Sequence, residues 1–296
     1  MEELLKCPVC ESISLSIAFT TKDYFLTKET FQITRCNLCD FLFTNPRPTS
    51  AELPRYYLTE EYLSHTTTKK SALNLLYSFL RNIAIKKKYS LISKHKMDGK
   101  ILDIGCGTGE FLNYFNKKGW VTLGVEPAET PRKFAAAKYG LSVFDESHLE
   151  KIPSESFDII TMWHVLEHVS ELNERLDEVK RILKKDGILI IALPNSKSWD
   201  AKKYKNYWAA WDVPRHLYHF SISSFTKLMT KHSLIINEIL PMTFDSYYVS
   251  MLSEKYKTGK TNYLKVILNG FRSNFSAKLK SGDYSSLIFR IRKQNS

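Results

Sequence analysis

Asp103 stands two residues ahead of three closely spaced glycines, Gly105-Cys106-Gly107-Thr108-Gly109, at the end of the apolar run "KILDIG". The spacing GxGxG is not the GxGxxG of dinucleotide folds, and no Lys-Ser/Thr follows to grip a phosphate. A carboxylate at Asp103 repels a pyrophosphate and favours a ligand with a cationic amine and a sulfonium. Amides at the start of the next helix can still receive that ligand's carboxylate. A zwitterionic amino acid joined to a nucleoside meets both demands, and S-adenosylmethionine is that molecule. Glu126 ends the next apolar stretch, "VTLGVE". An acid there can accept both ribose hydroxyls, as it also does in NAD enzymes.

A second chemistry sits at the front of the chain. Four of the five cysteines form two CxxC pairs, Cys7 with Cys10 and Cys36 with Cys39. The pattern predicts a zinc ribbon over residues 1–45, with the four thiolates as ligands of a structural Zn2+. Such a site leaves no position open for water, so it staples rather than catalyses. Disulfides do not suit a cytoplasmic chain, and a redox CxxC would occur once, beside a βαβ unit. Cys106 reads as a small filler in the glycine loop.

The third cluster is "NYWAAWDVPRHLYHFS", which crowds Tyr207, Trp208, Trp211, Asp212, Arg215, His216, Tyr218 and His219 together. A loop this rich in aromatics and imidazoles predicts a pocket wall, with core tryptophans as the bland alternative. His216 and His219 are the residues expected to touch substrate. Methyl transfer needs alignment and exclusion of water, and a general base only for a weakly acidic hydroxyl or carbon. Arg215 either meets an anionic acceptor group or pairs with Asp212.

These residues require a scaffold, and the chain alternates strand and helix from Lys100 onward. "KILDIG", "VTLGVE", "LSVF", "FDIITMW" and "GILIIALPN" read as strands. "EFLNYFNKKG", "PRKFAAAKYG" and "SELNERLDEVKRILKKDG" read as the intervening helices, the last closed by Gly187. "IINEIL" and "YSSLIFRIRK" supply a sixth and a seventh strand. The pattern predicts an α/β, Rossmann-like fold: a seven-stranded, mostly parallel sheet with an antiparallel last strand. Ligands of such sheets bind at the carboxyl ends of the strands. Residues 46–97 read as a linker and a basic docking helix over Lys69–His95. That helix carries Ala72, Leu76, Phe79, Leu80 and Ile83 on one face, with Lys69 and Lys70 at its start. The main domain is expected over 98–296. A helical insertion at about 245–281 could form a lid, with Tyr247 and Tyr248 as wall residues.

In this order the motifs resemble the class I S-adenosylmethionine-dependent methyltransferases. "LDIGCGTGEF" matches their first motif, "GVEP" the second, "FDIITMWHVLEHV" the fourth-strand motif and "LKKDGILIIALPN" the fifth strand. The resemblance implies that Asp103, Gly105, Cys106, Gly107 and Gly109 surround the methionine part and Glu126 the ribose. It places adenine near His148 and Leu149, with Asp145 as competitor, and Trp163 and His164 on the opposite side. His164, Glu167 and His168 spell HxxEH. Ubiquinone-pathway O-methyltransferases resemble this region and place a divalent metal on ExxEH; here His164 replaces the first acid. Cofactor packing and helix-start hydrogen bonds are the expected roles. Zinc-bearing sugar C-methyltransferases are similar at the front and in the core, but carry a further large C-terminal domain.

The formal charge of +12, from 43 Lys+Arg against 31 Asp+Glu, suits anionic partners. No RNA-binding signature accompanies it, so a small or carrier-linked acceptor is favoured over nucleic acid. The N-terminus "MEELLKCPVC" lacks the basic start and apolar core of a secretory signal, which points to a cytoplasmic protein. No apolar stretch is long enough to span a bilayer, while peripheral membrane contact is compatible with Lys255, Lys257, Lys260 and Lys265. The expectation is therefore a zinc-ribbon methyltransferase. The rivals are an RNA methyltransferase gripping its substrate with the ribbon, and a non-catalytic cofactor-binding adaptor.

Overall fold

The computed structural model describes residues 1–57 and 72–294, with the side chains of all of these except 72–80, 280 and 281. The docking helix runs over Ala72–Ser93 (α1). Lys69 and Lys70, and the side chains of Ala72, Leu76, Phe79 and Leu80, lie outside the described residues.

Two sheets organise the rest. The first is antiparallel: β1 (Leu15–Lys22), β2 (Thr30–Cys36), β3 (Leu42–Thr44) and, from far along the chain, β9 (Tyr218–His219), in the order β1-β2-β3-β9. Leu42 pairs with His219 and Phe43 with Tyr218. The ribbon's sheet is thus completed by the aromatic loop.

The second sheet contains β4 (Lys100–Ile104), β5 (Val121–Val125), β6 (Val143–Phe144), β7 (Phe157–Trp163), β8 (Leu183–Pro194), β10 (Leu234–Pro241) and β11 (Ser286–Lys293). Their order is β10-β11-β8-β7-β4-β5-β6. β4 is parallel to both β5 and β7, and β5 to β6, whereas β10 and β11 are antiparallel. This is the mostly parallel, Rossmann-like sheet with an antiparallel last strand that the βα alternation predicts. Its connecting helices are α2 (Glu110–Asn116), α3 (Glu129–Tyr139) and α4 (Leu172–Ile182). One boundary differs: β8 begins at Leu183, not at Gly187, because Leu183 is fully buried while Arg181 and Ile182 already give their carbonyls to Glu155 and Ser156.

By contacts the chain divides into two compact units that ignore sequence order. One is Thr59–Met162 with Arg181–Leu189, cored by Ile101, Leu102, Leu112, Phe115 and Ile159. The other gathers Met1–Leu58, Trp163–Lys180 and Ile190–Ser296. Its core joins Phe31, Ile33 and Leu42 of the ribbon to Trp208, Trp211 and Val213. A cut into 1–45, 46–97 and 98–296 therefore does not follow the packing, since β9 and the two tryptophans bind the ribbon to the C-terminal half.

That unit also holds α5 (Trp199–Tyr204), α6 (Ile222–Lys231), α7 (Asp245–Thr258) and α8 (Tyr263–Ser276). The Ser221/Ser224 capping box starts α6. The expected helical insertion is the pair α7 and α8. Among the described residues no helix is long and apolar enough to cross a membrane.

Candidate functional site

The glycine loop is pinned to β5, where the Val125 carbonyl accepts from the Gly105 and Cys106 amides at 2.7 and 3.2 Å. Gly107 and Gly109 adopt φ of +53° and +78°, which L side chains rarely tolerate. A methyl at Gly109 would also lie 2.8 Å from Leu141 and 2.9 Å from Ala135, so this glycine lets α2 start tight against α3. Cys106 is buried with its sulfur against Gly124, the filler its size suggested.

Asp103 lies on β4, its Cα opposite Gly124 and Thr161 on the flanking strands. It is only 2% exposed. Burial drives its carboxyl up to about 7, against the hydrogen bond that Thr161 Oγ1 donates at 2.5 Å. Glu126 accepts from the Gly107 amide at 2.9 Å and the Ala128 amide at 3.0 Å, and burial raises it as well. Two buried acids beside a left-handed loop fit a ligand that brings a cation and hydroxyls, and do not fit a pyrophosphate.

His148 stacks on Phe144 at 3.9 Å and 9°, while Leu149 is buried beside it in sequence. Asp145, the competitor for adenine, is occupied as a cap: its Oδ1 accepts from the Ser147 amide and hydroxyl. Trp163 ends β7, and Trp163 and His164 both belong to the other unit.

At the ribbon, Cys7 Sγ lies 3.5 Å from Cys39 and Cys10 Sγ 3.5 Å from Cys36. Those separations exclude disulfides, and all four sulfurs lie within 4.8 Å of one another. Each knuckle closes alike: the amides of Glu11 and Asp40 bond the carbonyls of Cys7 and Cys36, both residues with φ near +60°. Four converging thiols in paired turns could hold a metal ion such as zinc.

The same unit contains an acid–imidazole cluster that sequence spacing did not assemble. Glu167 is 0% exposed, and neither oxygen receives a hydrogen bond among the described residues. Its nearest cation is His164, Nδ1 at 3.3 Å, whose Nε2 lies 3.1 Å from Asp245 on α7. Burial opposes the His164 charge, but Asp245 and Glu167 hold the imidazole up to about 10. Burial likewise opposes the Glu167 charge, and His164 keeps that carboxyl below its usual value.

Two further imidazoles face this carboxylate. One ligand atom each from Glu167, His168 and His216 lies within 4.8 Å of the others. The Ala210 carbonyl, 2.9 Å from His216 Nδ1, can only accept, so Nδ1 of His216 carries a proton. His168 Nδ1 lies 2.9 Å from the Tyr57 hydroxyl and 3.0 Å from the Arg215 carbonyl, which hold that ring in place. Burial and the neighbouring His216 push His168 down to about 4, and it stays neutral. A carboxylate and two imidazoles thus share one buried space, where charge and hydrogen bonding count for more than in water.

Of the expected substrate contacts, His216 joins this cluster and His219 does not. Thr44 gives its hydroxyl proton to the His216 carbonyl at 2.8 Å, so His219 Nε2 donates to Thr44 Oγ1 at 3.1 Å. Paired on β9 and edge-on to Trp211, His219 is a member of the ribbon sheet. Trp208 and Trp211 of its loop are buried core, the alternative weighed for them, with Nε1 bonded to Asp200 and to the Lys205 carbonyl. Arg215 meets no open space either. It chelates Asp212 at 2.7 and 3.0 Å and reaches Asp23 at 2.9 Å and the Tyr56 carbonyl at 3.0 Å. Helix-start hydrogen bonds do not describe Glu167. The one sequence signal for its cluster was the HxxEH spacing.

Residues 78–235, more than half of the chain, match the methyltransferase domain family. The chain belongs to that family. Among curated relatives of this methyltransferase chain, the ubiquinone biosynthesis O-methyltransferase of Rhodopseudomonas palustris (strain TIE-1) is 34% identical over 137 residues, covering 42% of this chain and 52% of that protein. The ubiquinone/menaquinone biosynthesis C-methyltransferase UbiE of Campylobacter jejuni (strain RM1221) is 31% identical over 130 residues, covering 40% and 55%. The chain spans about half the length of these relatives. Geranyl diphosphate C-methyltransferase from Streptomyces coelicolor A3(2) superposes with a TM-score of 0.54 at 14% identity, covering 76% of this chain and 87% of that one. That likeness speaks for the fold.

Proposed function

We propose that this methyltransferase moves a methyl group from S-adenosylmethionine to an oxygen or carbon of a small or carrier-linked acceptor. The observation that carries this reading is Asp103: a buried carboxylate with one neutral donor, beside a left-handed glycine loop. Asp103, Gly105, Gly107 and Gly109 would hold the methionine part, Glu126 the ribose, and His148 and Leu149 the base. Bound there, the cofactor supplies a methyl made electrophilic by its positive sulfur. A cationic ligand keeps Asp103 ionised, whereas a polyphosphate would meet two acids. His164 is left out of this set because two carboxylates already engage it.

Glu167, His168 and His216 take the acceptor's proton as a unit, since an ionised carboxylate beside two imidazoles can share it. The closeness of one ligand atom from each also favours a second reading, in which they hold a divalent cation. The names of the relatives, an O- and a C-methyltransferase, support oxygen or carbon as the receiving atom. The four cysteines hold a structural zinc that staples the ribbon.

Calorimetry with S-adenosylmethionine, its demethylated product, NADH and ATP tests the cofactor. Binding of the first two alone supports the proposal, and tight binding of NADH or ATP in their place overturns it. Labelled methyl released into nuclease-treated small-molecule extract separates this reading from RNA methylation and from an adaptor. Loss of that transfer on EDTA treatment, with recovery on Mg2+, selects the cation reading over the proton reading. Bound zinc that disappears in Cys36→Ser checks the ribbon.

A further inference from the structure

α8 is amphipathic with its faces reversed. Leu264, Ile267, Leu268, Phe271 and Phe275 recur at helical spacing, and Leu279 continues the stripe into the following turn. All six point outward, Leu264 at 69% and Phe271 at 57% exposure. Phe271 and Phe275 stack on each other at 5.8 Å.

The buried face carries small and polar residues instead, because the interior it meets is polar. Asn269 donates to Tyr204 Oη at 2.8 Å and to Glu254 at 3.2 Å, and Ser273 donates to Asp200 at 2.8 Å. Gly270 leaves the notch that seats Tyr247 of α7, whose ring would lie 2.4 Å from any added methyl. The large side chains of α8 thus hold nothing together within the unit. A contiguous apolar stripe of this size marks a contact with something else.

Charge selects the occupant. From Lys255 to Gly282 the sequence has no acid, while Lys255, Lys257, Lys260, Lys265, Arg272 and Lys278 are all exposed. A cavity of about 280 Å³ beside the stripe is lined by Lys203, Lys257, Lys265 and Arg272, with Leu268 on its wall and Glu254 as its sole acid. A second copy of the chain would set these cations against themselves. An apolar helix face rimmed by cations, with a phosphate-sized cationic recess, suits the interface of a bilayer rich in anionic phospholipid.

We propose that α8 seats the protein on such a membrane surface. The stripe enters the headgroup–acyl boundary and a lipid phosphate occupies the cavity. This inference is independent of the methyl-transfer reading and stands or falls without it.

Co-sedimentation of the full zinc-loaded chain with vesicles tests it. Phosphatidylcholine mixed with phosphatidylglycerol should bind the protein at least about tenfold more tightly than phosphatidylcholine alone, and salt should weaken that binding. Phe271→Ser with Phe275→Ser, and separately Lys265→Glu with Arg272→Glu, should each lower it about tenfold or more, with circular dichroism and S-adenosylmethionine binding unchanged. The conservative Phe275→Trp avoids any doubt about folding, and its fluorescence should be quenched by brominated acyl chains in anionic vesicles only. Equal binding to both vesicles, no binding, or no quenching overturns the proposal. So does complete displacement by millimolar inorganic phosphate, which marks a soluble-anion site. A dimer that the double Phe variant dissolves overturns it too, because the stripe is then a protein interface.

Discussion

Asp103 and Glu167 are both buried carboxylates, at 2% and 0% exposure, yet they are driven in opposite directions. Asp103 accepts from the Thr161 hydroxyl, and burial raises it to about 7. Glu167 faces the His164 imidazolium, with His168 and His216 close by, and is held below its usual value. Burial alone therefore does not set the state of an acid; the charge of the nearest side chain does. The first acid is prepared to be ionised by a cationic visitor. The second is ionised already, with the His164 imidazolium as its counter-charge.

Experiments that would break this contrast can be ranked by size. Glu167→Gln keeps the shape and removes the charge, and should slow methyl transfer by about 10²- to 10⁴-fold with the fold intact. Product formation under saturating cofactor measures it, and an unchanged rate would remove the cluster from the chemistry. Arg215→Met strips Asp212 and Asp23 of the cation they share, and should cost about 3–5 kcal/mol in urea unfolding. A loss within the scatter of surface variants would mean that those acids are not held ionised by it.

Asp103→Asn should behave in the opposite way. We expect weaker S-adenosylmethionine binding by about 1.5–3 kcal/mol, the worth of a hydrogen bond to a charged group. Calorimetry at pH 7.5 gives the value. The ligand-free fold should at the same time become more stable, because the cost of an ionised buried acid is gone.

The smallest effects are those of pH, and the two acids have opposite signs. Asp103 keeps its proton in the folded state between its usual 3.8 and about 7, while the unfolded chain has lost it. Its contribution to stability therefore falls as pH rises through that window. Glu167 contributes stability that is present above its usual 4.5 and is lost as pH falls through its lower folded value. Cofactor affinity should climb by up to about tenfold per pH unit below 7 and then level off, since binding must release the Asp103 proton. A flat profile from pH 5.5 to 7.5 would show that this acid does not meet the ligand's charge.

What was readable in advance was encoded locally. The alternation of β4, α2, β5 and α3, the left-handed glycines, Asp103 at a strand end and the two cysteine knuckles each depend on residues a few positions apart. Their hydrogen bonding and periodicity are written into short stretches. Tertiary structure alone decided the rest, because it turns on which distant side chains share one buried space. Arg215 meets Asp23 across 192 residues, His219 is taken into the ribbon sheet opposite Leu42, and His216 is brought to Glu167 and His168. The outward turn of α8 follows from the same cause: its rotation answers to Asp200, Glu254 and Tyr247, none of which its own sequence contains. Spacing can name a residue as chemically capable, but the cost of leaving a buried charge unpaired selects its neighbours, and that cost exists only once the chain has closed around it.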